Sequence, residues 1–404
     1  MNMDNVIRAF VMSSAIAAGI LVHNAAGAEE GPYSPRANWD IYTGDKLNMS
    51  SFIYRDRNRN GRYDVGDRAL ASVAVDVTKP DGTNSRSWSN INGFANFVMS
   101  AQQDDGDIRI PGKYAFDVVT PPRWKVTSGS AEQKVDFVLF PGAYADIIAK
   151  NPAVPTGLAP DLSISGRVTR RDAKRTAVPA AGAHLILRHG NETRDVPALP
   201  ADGKFSVDVT AGNWTVEISD AANKTEARRT VSVKDEPVFM SAIALGDAVP
   251  EALPVSEKVD FEDITQGTLA KIPSGTGGVD WSNMVATEML FYDSEGTVNG
   301  VMSGHYIGYN GSAHPVTISH AEGFDFVGGY FSLGWLRAEG EELLVEAWRG
   351  DKLVGSESVV LSAMGPVWFD ADYRSIDRLV LKTKHYWQFV TDDLQIRLPP
   401  GPRS

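Results

Sequence analysis

Beyond its N-terminal segment this chain alternates apolar and polar residues with a period of two, and that pattern leaves room for little besides β-strands. Val73, Val75 and Val77 alternate with Ala74 and Asp76, and Phe205, Val207 and Val209 alternate with Ser206 and Asp208. Successive side chains of a strand face opposite ways, so each run describes a strand with one face in a core and the other in water. Past the turn Ala211-Gly212-Asn213, the residues Trp214, Val216 and Ile218 stay apolar against Thr215, Glu217 and Ser219, which predicts a hairpin. After the N-terminal segment no stretch holds the 3.6-residue period of a helix over three turns.

Two proline-rich stretches break the alternation. They are Asn151-Pro152-Ala153-Val154-Pro155 continuing to Pro160, and Val249-Pro250-Glu251-Ala252-Leu253-Pro254. Such segments favour extended, semi-rigid spacers, which divides 404 residues into beads on linkers. The expected order is a signal peptide at 1–28, a linker at 29–42, a module at 43–148, a linker at 149–160, a second module at 161–247, a linker at 248–255, a third module at 256–398 and a tail at 399–404. The first two modules echo each other in order. Ala71-Ser72-Val73-Ala74-Val75 corresponds to Ala181-Gly182-Ala183-His184-Leu185, Asn92-Gly93-Phe94 to Asp202-Gly203-Lys204-Phe205, and Gly112-Lys113-Tyr114 to Gly212-Asn213-Trp214. With about seven short strands each, both have the turn density of an immunoglobulin-like sandwich.

The N-terminus carries Arg8, an apolar run from Ala9 to Val22 and then Ala26-Gly27-Ala28, a cleavable export signal in outline. The run is too short to span a bilayer, which needs about 20 helical residues. The expected location is therefore outside the cytoplasm: secreted, on the cell surface or in the periplasm. There is no cysteine, so burial or metal must hold the modules in place of disulfides. Acidic residues exceed basic ones, 51 − 39 = 12, and no basic block stands out. That balance argues against nucleic acid and against insertion into membranes as partners, and suits divalent cations.

The sharpest local pattern is Asp56-Arg57-Asn58-Arg59-Asn60-Gly61-Arg62-Tyr63-Asp64-Val65-Gly66-Asp67. It fits a calcium-loop template at positions 1, 3, 5, 9 and 12 with glycine at 6. Oxygens at every second position let the backbone curl round one hard cation. The expected ligands are Asp56, Asn58, Asn60, the carbonyl of Arg62, Asp64 and Asp67, with calcium as the only cofactor. Asp67 replaces the usual glutamate, and its shorter reach predicts a structural role rather than a sensing one.

The loop is followed by Leu70-Ala71-Ser72-Val73-Ala74-Val75-Asp76-Val77, then Asn92-Gly93-Phe94, then Pro111-Gly112-Lys113-Tyr114, then Thr120-Pro121-Pro122-Arg123-Trp124. This order resembles the B-type repeats of serine-aspartate repeat surface proteins, and the resemblance implies a calcium-stabilised, spacer-like sandwich. The second module, more loosely and without the loop, resembles collagen-adhesin B-type and carboxypeptidase regulatory-like modules. The third resembles a β-jelly-roll of exported bacterial proteins, many of which carry PEP-CTERM sorting tails, and is similar in outline to carbohydrate-binding modules. The residues that carry this last likeness are Asp260-Phe261-Glu262-Asp263, Gly277-Gly278-Val279-Asp280-Trp281-Ser282-Asn283, Val298-Asn299-Gly300-Val301-Met302-Ser303-Gly304, Phe324-Asp325-Phe326 and the run from Phe389 to Ile396. The fold expected is thus all-β: two immunoglobulin-like B-type β-sandwiches followed by a β-jelly-roll sandwich. Sugar-binding jelly-rolls often share a calcium between first and last strands, which would fall to Glu262, Asp263 and Asp393.

Aromatic residues crowd the third module, and sugar rings stack on exposed indoles and phenols. Trp281, Asn283, Tyr306 and Tyr309 lie in Gly-, Ser- and Asn-rich stretches and are the glycan-binding candidates. Ser303-Gly304-His305 invites a hydrolase reading, but no nucleophile elbow, zinc helix or phosphate loop accompanies it. The function expected is therefore non-enzymatic: a surface or extracellular protein that binds a glycan, a polysaccharide or other surface proteins through its last module, on a calcium-stabilised stalk. A structural surface or matrix scaffold is the alternative, and a polysaccharide-active hydrolase the third reading.

Overall fold

The computed structural model describes residues 47–99, 106–139, 147–151, 153–174, 176–219, 224–246 and 249–400. The expected signal peptide and first linker lie outside them. The chain is all-β, as its alternation predicts, with strands throughout and a single short α-helix, Glu295–Gly300, among the described residues.

In the first module, two five-stranded sheets face each other. One has Leu47–Arg55 at its centre, and the other is built on Ala74–Thr78, Gly112–Val118 and Glu132–Leu139. Val75, Val77, Phe97, Tyr114, Phe116 and Phe137 fill the space between them. In the second module, the sheet of Glu192–Val196, His184–His189, Gly212–Ser219 and Thr225–Val233 packs over Ser163–Arg171 and its partners. Trp214, fully buried, sits in that core and donates its indole N–H to Thr210 O at 2.8 Å.

The sequence echo between these modules is an echo of geometry. Gly93 and Gly203 both have positive φ, and in each a Cβ would come within 2.5 Å of a carbonyl on the facing strand, Ile53 O and Val168 O. Ser72 and Gly182, also matched, both take positive φ. The expected hairpin around Gly212 is not formed. Lys204–Asp208 pairs with Ser163–Arg171 in one sheet, whereas Gly212–Ser219 pairs with His184–His189 and Thr225–Val233 in the other. The connection therefore arches across the sandwich. Both flanking strands turn their apolar faces inward, a pattern that sequence alternation gives equally for a hairpin and for an arch.

In the third module, Val316–Leu333 and Val367–Thr383 are 18 and 17 residues long, with register shifts between Ser319 and Gly328. Bulges of this kind bend a strand and let it serve two layers. Phe261, Phe324, Phe326, Phe331, Phe369 and Phe389 form the core between those layers.

The modules are fused rather than strung on spacers. Residues 156–160, within the stretch expected as a linker, form the strand Thr156–Pro160, which pairs in parallel with Ile53–Arg55 and antiparallel with Trp124–Val126. Its prolines sit at or just outside its ends, where a strand tolerates them. Val238–Met240 lies between Ser163–Arg171 and Val367–Thr383, so one sheet runs without a break from the second module into the third. Of the other proline-rich stretch, Leu253 donates its N–H to Asp325 at 2.7 Å and Pro250 O accepts from Arg374 at 2.8 Å.

The buried Asn299 stitches the first module to the third. Its side-chain oxygen accepts Ala71 N–H at 2.9 Å, and its amide donates to Ala71 O and Ala363 O at 3.2 and 3.1 Å. Asn299→Ala strands three buried backbone groups, each worth about 1–3 kcal/mol when unpaired. We expect a loss of about 2–4 kcal/mol in urea unfolding; a change below about 0.5 kcal/mol would mean that this contact contributes nothing to the joint.

Candidate functional site

The loop 56–67 lies where the three modules meet. Asp56 is buried, and its carboxylate accepts the N–H groups of Asn60 at 3.2 Å and Gly61 at 2.7 Å. The Asn60 side chain accepts Arg62 N–H at 2.8 Å. Asp67 closes the ring, one oxygen accepting Arg57 N–H at 2.9 Å and the other Asp64 N–H at 3.1 Å. Gly61 has φ 76°, and a Cβ there would meet Thr127 O at 2.9 Å, which is why position 6 must be glycine. Tyr63 anchors the loop, its ring lying 4.8 Å from Phe52 and 5.2 Å from Tyr54.

Three of the expected side chains converge directly. Asn58 and Asn60 donate their amide nitrogens to the two oxygens of Asp64, at 2.9 and 2.6 Å. Their amide oxygens face the backbone, Asn58 accepting Asn60 N–H at 3.0 Å and Asn60 accepting Arg62 N–H at 2.8 Å. Among the described residues, no three side chains drawn from His, Cys, Asp and Glu gather around a metal position. The donor set thus depends on the two asparagines and a carbonyl as well as on aspartates. Burial holds the Asp67 carboxyl above the ordinary carboxylate range, the accepted N–H groups oppose this, and the charges of Asp56 and Asp64 add to it. A cation would relieve that repulsion. The residues present fit calcium.

Around the loop lies a cluster of charges that local sequence does not announce. Arg55 and Glu236, both buried, form an ion pair between the first and second modules. Arg55 also donates to Asn299 O at 3.2 Å in the third module, and burial lowers its pKa to about 10, which leaves it charged at neutral pH. Arg57 joins Asp235 at 2.5 Å and Met302 O at 2.8 Å. Arg68 donates to Gly304 O at 2.9 Å and Arg59 to Pro160 O at 2.6 Å. The arginines that would oppose the aspartates of a calcium loop thus point away to neighbouring elements. Arg55, Glu236 and Asn299 stand so far apart in the chain that only the fold brings them together; the one available signal is an arginine directly after the apolar run Phe52-Ile53-Tyr54.

The candidates for a second calcium are otherwise engaged. Glu262 accepts the N–H groups of His305 and Tyr306, each at 2.8 Å. Asp393 accepts Ser303 Oγ at 2.6 Å and pairs with Lys258 Nζ at 2.8 Å, so an ammonium already answers its charge. Asp263 is exposed. Burial pulls the Lys258 pKa down, but the bond and charge of Asp393, with Asp260, outweigh it and raise the pKa, so Lys258 is no free amine base beside Ser303.

The glycan candidates are scattered. Trp281 is half-buried against the main core of the third module and donates to Thr276 O at 2.9 Å. Tyr306 packs on the same core and donates to Gly267 O at 3.1 Å. Tyr309 is buried in a separate small cluster with its hydroxyl 2.6 Å from that of Tyr292. Asn283 spends its amide on the carbonyls of Gly311, His314 and Pro315. The sequence reading missed Tyr386, 69% exposed at φ 59°, whose ring stands edge-on to exposed His314 at 6.4 Å. A non-glycine residue at positive φ carries strain, and here it holds an aromatic ring out into solvent.

No protein-family model matches the chain. A stretch of 181 residues is 26% identical to Colossin-A of Dictyostelium discoideum; it makes up 42% of this chain and 2% of that protein, so the chain spans a small fraction of the relative it matches. Among solved structures, the minor pilin GBS52 of Streptococcus agalactiae is similar at 11% identity, over 51% of this chain and 98% of the pilin, with a TM-score of 0.20. The CBM22-1 xylan-binding domain of Paenibacillus barcinonensis Xyn10C is similar at 16% identity, over 38% of this chain and 99% of that domain, with a TM-score of 0.22. Likenesses at these scores carry no argument here, and the fold rests on the strand pairings themselves.

Behind the joint, the buried Asp392 accepts the N–H groups of Met302 at 2.7 Å and Ser303 at 2.9 Å, fixing the segment that the arginines grip. Desolvation raises its pKa from 3.8 to about 7, against these bonds. A carboxyl raised in the fold contributes stability below its unfolded pKa and loses it as pH climbs through the folded value. Wild-type melting temperature should therefore fall by several degrees between about pH 5 and pH 8. Asp392→Asn, which keeps an oxygen for both N–H groups, should flatten that fall; identical slopes would show that Asp392 does not titrate in this range.

Proposed function

We propose that this chain is a non-enzymatic extracellular or surface scaffold in which a calcium-holding loop stiffens the meeting point of three β-sandwiches. The observation that supports the reading is the placement, at that joint, of one loop whose Asp56, Asn58, Asn60, Asp64 and Asp67 side chains bond within it. Burial of the acidic side chains supports it further. Asp325, Asp392 and Glu357 accept backbone N–H groups, and Glu236 faces Arg55, so these groups act in holding segments together. Calcium supplies charge compensation and loop closure. The chain's own residues supply the anchor, through Asp56 and Asp67, and the reach into neighbouring modules.

Asp64 is the cleanest probe. Asp56 is buried and caps two N–H groups, so replacing it harms the fold with or without metal, whereas Asp64 is exposed and bonds chiefly to the two asparagine amides. Asp64→Ala should lower the melting temperature by several degrees in millimolar calcium and leave it unchanged in chelator. Equal melting of the wild type in calcium and in chelator would remove calcium from the account.

A glycan contact is the second reading, favoured by Tyr386. Of the aromatic residues that crowd the third module, Trp281, Tyr292, Tyr306, Tyr309, Tyr330, Trp335, Trp348, Trp368, Tyr373 and Trp387 are buried or half-buried, while Phe291 and Tyr386 are exposed, at 42% and 69%. One strained, outward ring beside an imidazole suits stacking on a single sugar face with a hydroxyl partner. Retardation of the full chain in polysaccharide affinity gels should be lost in Tyr386→Ala and kept in Trp281→Phe. No retardation on any of a broad panel of polysaccharides would leave the scaffold reading alone.

A further inference from the structure

We propose that copies of this chain associate head to tail, a basic hairpin of the second module in one copy seating on an acid-rimmed apolar end of the third module in the next. The two surfaces lie at the two edges of one sheet. Its strand order begins at Ala177–Pro179 in the second module and ends at Leu269–Lys271 in the third, with seven strands between them. Each of the two pairs on one side alone, Ala177–Pro179 with Thr169–Arg171 and Leu269–Lys271 with Val285–Thr287.

Charge is unevenly spread along the chain. Four of the six residues from Arg170 to Arg175 are basic. Arg170, Arg171 and Lys174 are exposed on the hairpin that leads into Ala177–Pro179, and Arg175 lies outside the described residues. The one carboxylate of that turn, Asp172, accepts the N–H groups of Lys174 at 2.9 Å and Thr176 at 2.8 Å, so it shapes the turn. At the other edge the balance is reversed. Residues 259–304 carry seven carboxylates and one cation, Lys271. Within that acidic region Leu269, Leu290 and Phe291 are exposed at 43, 40 and 42%. They are neighbours, because Glu288 donates its N–H to Thr268 O at 2.9 Å while its carboxylate accepts Leu290 N–H at 2.9 Å. Asp263 and Asp293, both exposed, stand on either side in the chain.

An apolar surface gains by being covered, and a rim of carboxylates decides by what: an acidic occupant is repelled and a basic one drawn in. Arginine and lysine suit such a surface because their stems are apolar and their heads charged. The stems cover Leu269 and Leu290, a guanidinium stacks on the Phe291 ring, and the heads meet the rim. Like edges of two copies repel, so the contact joins unlike edges. A contact between unlike surfaces leaves one of each unused, and copies therefore add in an open chain.

The test is sedimentation velocity on the full chain, run in chelator because the contact involves no residue of the loop 56–67. We expect the wild type to associate beyond two copies between about 10 and 200 µM in low salt, and at least about tenfold more weakly in 0.5 M salt. A basic-edge variant carrying Arg171→Glu and Lys174→Glu, and an acidic-edge variant carrying Phe291→Ser, should each be monomeric. Their equimolar mixture should form dimers and nothing larger, since each keeps one working edge. Asp293→Lys provides a second acidic-edge variant should Phe291→Ser fold poorly. A wild type that stays monomeric throughout, as it would if either edge served another partner, overturns the contact. So does a wild type that stops at a dimer, association that persists in either variant, or a mixture that fails to pair.

Discussion

The buried pairing of Arg55 with Glu236 is the constraint on which the rest of this architecture depends. Taking a guanidinium and a carboxylate out of water costs several kcal/mol apiece, and the cost is recovered only if partners meet in good geometry. Arg55 has such partners from two other modules: Glu236 from the second and the Asn299 carbonyl from the third. An apolar interface would tolerate sliding, because hydrophobic contact is non-directional. A buried charge does not, since any displacement leaves it unpaired. The modules are therefore held in one relative arrangement, and the neighbouring bonds of Arg57, Arg68 and Asn299 fall into register around it.

A second joint repeats the logic between the later modules. Val238–Met240 carries the sheet across, and charged groups lie alongside: Arg229 meets Asp370 at 2.8 Å, and Glu357 accepts Ala242 N–H at 2.8 Å with Arg167 at 3.9 Å. Burial pushes the carboxyls of Asp370 and Glu357 up, with Arg229 opposing for both. Backbone pairing gives this joint its continuity, and the ion pairs resist shear along it. Among the described residues, no such shared strand joins the first and third modules, and side chains register them.

What the sequence made legible follows from which forces are local. Period-two alternation reports burial on one face, so the strands of Ala74–Thr78 and Lys204–Asp208 could be read directly. Backbone conformation at Gly93 and Gly203 is set by contacts a few residues along, and the internal echo carried it. The loop's oxygen-bearing side chains recur at every second position, so their grouping in one short segment was readable as well. Pairing partners were not: the arch at Gly212 and a hairpin share one pattern. The prolines around Thr156–Pro160 marked the ends of a strand as plausibly as a spacer. The joint lay out of reach, because Arg55, Glu236 and Asn299 are ordinary polar residues until the fold removes them from water. Aromatic density misled for the same reason, since a ring in a loop-like stretch packs inward as readily as outward, and Tyr386 stood out only once its exposure and positive φ were known.

The placement of the loop says more than its composition. At the distal tip of a sandwich, such a loop would stabilise one module and leave inter-module geometry untouched. Here it begins at the end of the strand Leu47–Arg55, whose last residue is the buried arginine, and it ends where Arg68 reaches Gly304. Twelve residues of chain thus separate two cations that grip other modules. A segment so placed cannot change its charge state without changing the forces on the joint. The geometry of the joint is therefore set from both ends of one loop, by Arg55 before it and Arg68 after it.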